Sequence, residues 1–359
     1  MKKILAISLI FLFIVFGILA CANIDLSNAS KHIGIYLPST SPNRWTVEGD
    51  EMTKILSNKG YDVQLFYAEK NSDLQISQIE QGIENGDDAM IIAPVDPTRL
   101  TDVLHNASEK NIKIIAYDRF IENSDSINYF VSFDCNLIGI QQGKSLVDGL
   151  HESGDPPYNV ELFAGCSSDS NAIYFYNGAM SVLQPLIDTG EIKILSGEIS
   201  FKDVCLEFQN PDYPKERTNR LLETYYKFVD IDGILSPNDV TSLRIIQSID
   251  GYQKYTEHNY PIITGQDAEV DSIIAITQSK QYSTILKDSK LLSQMAASMV
   301  MAVLDDHTPE INDTQSFSNG TDIVPAFLCE PVLVTKKNYK SILIDSGYMR
   351  YEDVFPETT

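Results

Sequence analysis

From residue 32 onward, short apolar, β-branched runs alternate with segments of helical period, and this alternation narrows the possible folds more than any other feature. Strands are predicted at His32–Leu37, Asp62–Tyr67, Ala89–Ala93, Ile112–Ala116 and Tyr129–Ser132. Between them, helical patterns fall at Thr46–Asn58, Asp73–Asn85 and Leu100–Lys110. Leu74, Ile76, Ile79 and Ile83 make one apolar stripe, with Ser72 placed as its N-cap. Gly60 stands just past the preceding helix, where the chain needs a left-handed residue. Repeated βαβ units imply a parallel sheet with helices on both faces.

The pattern restarts after Asp134. Helices are predicted at Leu137–Leu150, Ala172–Leu186, Lys215–Phe228, Thr241–Ile249, Val270–Gln278 and Leu291–Leu304. The strands between them are Asn159–Ala164, Lys193–Ser196, Gly233–Ser236, Tyr260–Thr264 and Tyr282–Leu286. A last strand, Glu330–Thr335, and a short helix from Asn338 close the chain. The architecture is thus built twice, without a sequence repeat and without a low-complexity linker. Two doubly wound α/β lobes joined by crossing strands fit this pattern. The reset points put the crossings at Asp134, near Lys287 and around Pro325. The first lobe is then 32–133 plus 288–324, and the second 134–287 plus 325–359.

The amino end indicates the compartment. Lys2 and Lys3 precede an almost unbroken apolar run from Ile4 to Leu19, which is a signal-peptide layout over residues 1–20. Ile18-Leu19-Ala20-Cys21 reads as a lipoprotein cleavage site, with Cys21 as the acylated first residue and 21–31 as a polar tether. The expected location is extracytoplasmic, held to the membrane by that lipid alone. An excess of 50 acidic over 27 basic residues argues against nucleic acid as a partner. Cys135, Cys166, Cys205 and Cys329 show neither a disulfide framework nor metal-ligand spacing, and they read as buried free thiols. No P-loop, nucleophile elbow or metal motif is present, so neither a cofactor nor catalysis is expected.

Ligands of doubly wound sheets bind beyond the carboxyl ends of the strands. Here those ends are unusually polar: Arg44 and Trp45 after the first strand, Asp118-Arg119 after the fourth, and Asp169 and Asn171 in the following lobe. Asn238, Asp267 and Lys287 follow three further strands. Any one of them could be a helix cap. Together they suit a ring of vicinal hydroxyls, because each hydroxyl both donates and accepts. Trp45 and Phe208 are candidates to cover the C–H faces of the ring, with core packing as the alternative.

The motifs PNRW, AYDRFIENSDSINYFVSFD, ELFAG-x-x-x-D-x-NA, GAMSVLQPLIDTG, ILSPND, GQDAE, QYSTILKD and PEINDT occur in that order. In these the chain resembles the multiple-sugar-binding and xylose-binding group of type I periplasmic binding proteins, over nearly all of 32–352. The resemblance implies two Rossmann-like lobes, three hinge crossings and an aldopyranose in the cleft. The sugar is then handed to the permease of an ABC transporter, or the closed form is presented to a chemoreceptor or sensor kinase. It also implies Arg44, Asp118, Arg119, Asp169, Asn171, Asn238, Asp267 and Lys287 as sugar ligands. The group places a tryptophan within the segment 206–210, where Phe208 either replaces it or leaves the stacking surface absent.

Overall fold

Six parallel strands form the first sheet of the computed structural model, which describes residues 30–355 except Pro42, Ser170 and 207–209. The expected signal segment, Cys21 and Phe208 therefore lie outside the described residues. The sheet order is β11-β5-β4-β3-β1-β2, with β1 His32–Leu37, β2 Asp62–Tyr67, β3 Ala89–Ile92, β4 Lys113–Tyr117, β5 Tyr129–Phe133 and β11 Ala326–Cys329. Helix α1 (Arg44–Asn58) covers one face together with α10 (Ser289–Leu304), and Ile33, Ile35, Val131, Leu292 and Val300 pack between them. On the other face α2 (Ser72–Asn85) and α3 (Thr101–Glu109), with Leu104 on its inner side, close over Ile92, Ile114 and Phe130. These runs are apolar on both sides because both sides are covered.

The second sheet, order β7-β6-β8-β9, is also parallel: β6 Tyr158–Leu162, β7 Ile192–Lys193, β8 Gly233–Leu235 and β9 Ile262–Ile263. Helices α4 (Cys135–Ser153) and α5 (Ala172–Thr189) lie on one face. Helices α7 (Tyr213–Thr224) and α8 (Asp239–Gly251) lie on the other, and α6 (Phe201–Val204) is a single turn before them. A ribbon of β10 (Ser283–Leu286) and β12 (Val332–Thr335), antiparallel, joins the edge through Tyr282 N–H to the Ile263 carbonyl and Asp267 N–H to the Ile285 carbonyl. Helix α9 (Val270–Thr277) packs on that ribbon, and a five-residue π-helix and α11 (Tyr351–Val354) end the described chain.

The third crossing, expected near Pro325, comes later. Ala326–Cys329 belongs to the first sheet, in parallel register with Phe130–Phe133. The pairing is extended by Phe130 N–H to the Pro325 carbonyl and Asp134 N–H to the Cys329 carbonyl. Pro331 then has no N–H to continue a ladder, and the chain turns into β12. The other crossings fall between β5 and α4, at Asp134, and between β10 and α10, at Lys287-Asp288.

Smaller differences have local causes. The cap of α2 is Asn71, not Ser72: its Oδ1 accepts from the Asp73 and Leu74 N–H groups at 3.0 and 3.1 Å. The stripe on that helix is rotated, with Leu74 exposed and Gln75 fully buried. Gln75 serves as a clamp there, donating to the Ala93 carbonyl and accepting from the Val95 N–H at 2.8 Å each. Gly60 takes the expected left-handed turn at φ +92°. All four described cysteines are free; Cys135 and Cys329 are buried as expected, whereas Cys166 and Cys205 are partly exposed. Among the described residues no helix is long and apolar enough to cross a membrane.

Candidate functional site

The carboxyl ends of the strands in both sheets face a common cleft, and the helices that follow them begin there. Arg44 and Trp45 open α1. Asp118 and Arg119 come directly after β4, where Asp118 turns the chain at φ +60°, a conformation that costs a non-glycine residue energy. Its carbonyl accepts from the Ser132 hydroxyl at 2.8 Å, so the turn is fixed from within the sheet. Asp267 follows β9 at φ +100°, and Ala268 after it is also left-handed. Strain of this kind at two strand ends aims both carboxylates into one space.

All nine described ligand candidates line a single cavity of about 250 Å³: Arg44, Trp45, Asp118, Arg119, Asp169, Asn171, Asn238, Asp267 and Lys287. The first four come from the first lobe and the next four from the second, with Lys287 on a crossing segment. Gln266, Phe175, Cys166 and Leu206 also line it and were not anticipated. Gln266 lies inside a strand-end run already marked as polar, so a signal was present. Phe175 sits one turn into α5, where an aromatic reads as ordinary core.

The charges are organised in pairs. Arg44 makes a two-pronged contact with Asp118, 2.9 and 3.1 Å, and also donates to Glu48 at 3.2 Å. Glu48 is one turn along α1, 1 % exposed, and accepts from the Tyr117 hydroxyl at 2.9 Å. Burial alone would lower the Arg44 pKa, but Asp118 and Glu48 outweigh it and hold it well above its ordinary value. Burial would raise Asp118, yet Arg44 keeps it below the usual carboxylate range. Across the cleft, Lys287 Nζ stands 2.9 Å from Asp267 Oδ1. There too burial opposes ionisation, and the partner reverses it: Lys287 is raised and Asp267 lowered. Both acids therefore stay ionised at neutral pH and act as acceptors.

The amides work at the seam. Asn238 caps α8, its Oδ1 accepting from the Thr241 N–H at 2.9 Å, which leaves its NH2 group to be offered elsewhere. Asn171 makes no cap bond; its Nδ2 reaches across to the Asp118 carbonyl at 3.2 Å and ties the lobes directly. Trp45 is 1 % exposed, with the Arg44 guanidinium 3.9 Å over its ring centroid and that of Arg119 at 5.5 Å. One indole face is thus already covered by a cation.

A larger cavity, about 810 Å³, lies at the opposite, amino ends of β9 and β10. Its lining groups come from one lobe and in part pair with each other, as where Glu152 accepts from Lys337 at 2.7 Å and from Tyr282 at 3.0 Å. Size therefore does not choose the site; convergence of polar groups from both lobes does. Among the described residues no cluster of three His, Cys, Asp or Glu could hold a metal ion.

Comparison with known proteins agrees with this architecture. Residues 33–308 match the periplasmic binding protein domain. The chain is 39 % identical over 324 residues to a multiple sugar-binding periplasmic receptor of Rhizobium radiobacter, covering 90 % of this chain and 92 % of that one. It is 30 % identical over 340 residues to the D-xylose-binding periplasmic protein of Escherichia coli, covering 93 % and 97 %. A solved ABC transporter solute binding protein from Clostridium phytofermentans, with β-D-glucose bound, superposes with a TM-score of 0.82 at 36 % identity, covering 90 % of this chain and all of that one.

Proposed function

The chain belongs to the periplasmic binding protein domain family, in the group of multiple-sugar-binding and xylose-binding receptors, and from that premise we propose that it captures one aldopyranose between its lobes for an ABC transporter. The observation that carries this reading is the convergence of ion-paired carboxylates, cations and amides from both lobes on a cavity of about 250 Å³. That is below the ~300–1,000 Å³ that larger organic ligands occupy, and it suits a single ring. The sugar hydroxyls are held by Asp118, Asp169 and Asp267 as acceptors and by Arg44, Arg119, Asn171, Asn238 and Lys287 as donors. Charge-assisted bonds of this kind contribute roughly 1.5–3 kcal/mol each.

The same pairing argues against catalysis. A glycosidase needs one carboxyl held protonated near neutral pH. Asp118 and Asp267 are instead kept below the usual range by Arg44 and Lys287. Glu48 is raised, but it lies behind Arg44 and does not line the cavity.

Trp45 is the single tryptophan of the chain and a wall of the cavity, so its emission reports on the site without a label. Titration with xylose, glucose, galactose, arabinose and fucose should shift that emission saturably for at least one of them, with calorimetry giving the same Kd. Silence for all five, by both methods, rejects the reading. The lobes that close on the sugar are 32–133 with 288–329, and 134–287 with 330–355. At the amino end, Cys21 carries the lipid anchor. Cys21→Ser should move the protein to the soluble fraction with sugar binding intact, and retention after an alkaline wash would exclude the anchor. Co-purification distinguishes a permease partner from a chemoreceptor or sensor kinase.

A further inference from the structure

The monosaccharide-sized cavity is not the end of the cleft. A second chamber of about 310 Å³ adjoins it, and the two share Trp45, Arg119, Cys166 and Asp169 as a common wall. Its other walls are the loops after β1, β2, β3 and β6, so it lies on the carboxyl side of both sheets, outward of the first cavity.

We propose that this outer chamber is a second sugar subsite, which takes a ring glycosidically linked to the one in the inner cavity. The proposal rests on the reading that the inner cavity holds a monosaccharide. The chamber is at least as large as the inner one, so a second ring of the same size fits beside the first. Its walls are mixed: Ser39, Ser41, Ser168 and Lys70 with the shared Arg119 and Asp169 are polar, and Pro38, Val95 and the shared Trp45 are apolar. Ser39, Ser168 and Arg119 already meet the Ser41 carbonyl, Cys166 and the Pro94 carbonyl, and a hydroxylated ring can add to these bonds while its C–H face meets the apolar part of the wall. Charges of both signs on the walls favour a neutral ring over an anion. The shared indole is the flat surface that such binders present to sugar C–H faces, here at the junction of two rings.

Ser168 and Ser41 are exposed and belong only to the outer chamber, which separates the two sites experimentally. The wild type is titrated by calorimetry with glucose, cellobiose and maltose, and the titrations are repeated for Ser168→Trp and Ser41→Trp. At least one disaccharide should bind within about tenfold of glucose, and a bulky ring in either position should weaken it at least about tenfold while glucose stays within about twofold. If glucose binds and both disaccharides are more than about a thousandfold weaker, the outer subsite is rejected and the monosaccharide reading stands. Equal losses for glucose and disaccharide in both variants also reject it, because the chambers are then not separable. Failure of all three sugars rejects the outer subsite, and the monosaccharide reading falls with it only if xylose, galactose, arabinose and fucose fail as well.

Discussion

Glu48 is held where a carboxylate is costly, behind Arg44 and under Tyr117, and burial lifts its pKa from 4.5 to about 7 against the pull of Arg44. Tyr117, Asp118 and Tyr348 are the other titratable groups in its surroundings. A carboxyl that ionises less readily in the folded chain than in the unfolded one costs stability as pH rises between those two values. Below about 4.5 both states keep the proton, and above about 7 the cost is complete. Glutamine has no proton to lose. The melting temperature of Glu48→Gln relative to wild type should therefore climb from about pH 5 to about pH 8. A difference that stays flat across that range would show that Glu48 is not the buried acid described here. Asp267→Ala removes the partner of Lys287 and one acceptor, so sugar affinity read by Trp45 emission should fall at least about tenfold. At this scale the sequence was informative: nine strand-end residues singled out by polarity and by family resemblance do share one cavity. What it did not reveal is how they pair. Nothing in the chain order says that Arg44 grips Asp118 seventy-four positions away, or that Glu48 stands behind both.

Among the elements, α4 and α5 approach so closely that side chains are excluded from their contact. A Cβ on Gly139 would stand 1.9 Å from the Phe175 carbonyl oxygen, and one on Gly178 would stand 2.2 Å from that of Asn136. These are backbone atoms, which cannot swing aside, so Gly139→Ala must push α5 away. Overpacking of this sort costs typically 1–3 kcal/mol. Because α5 begins at Ala172, beside Asn171, and carries Phe175, the same shift should weaken sugar binding. The expected outcome is a lowered melting temperature together with lowered affinity, and normal affinity in a merely less stable protein would uncouple the helix contact from the site. The helices and long strands were legible from their periodicity. Strand β11 was not: the four residues AFLC are too short to show a period, and they stand next to VLVT, which is the more evident strand. Only pairing with β5, nearly two hundred residues earlier, decides their sheet. The cap of α2 was misplaced by one residue because Asn71 and Ser72 are equally plausible from composition, and only the backbone conformation of Asn71 separates them.

For the whole molecule, three crossings and candidate ligand groups drawn from both lobes would couple recognition to shape. A sugar that makes all its bonds only when the lobes meet favours the closed form by that difference. Small-angle scattering should therefore show the wild type becoming more compact on adding sugar, with a smaller change in Asp267→Ala at the same sub-saturating concentration. Identical scattering with and without sugar in the wild type would remove closure from the account. The two-lobed plan was readable from the βα reset after Asp134, but the last crossing was not, because β11 and β12 are separated by only two residues. The bond from Asn171 to the Asp118 carbonyl has a further effect, since it joins the lobes using protein atoms alone. Part of the attraction between the lobes is thus built into the chain, and a bound sugar has that much less to supply when the cleft shuts.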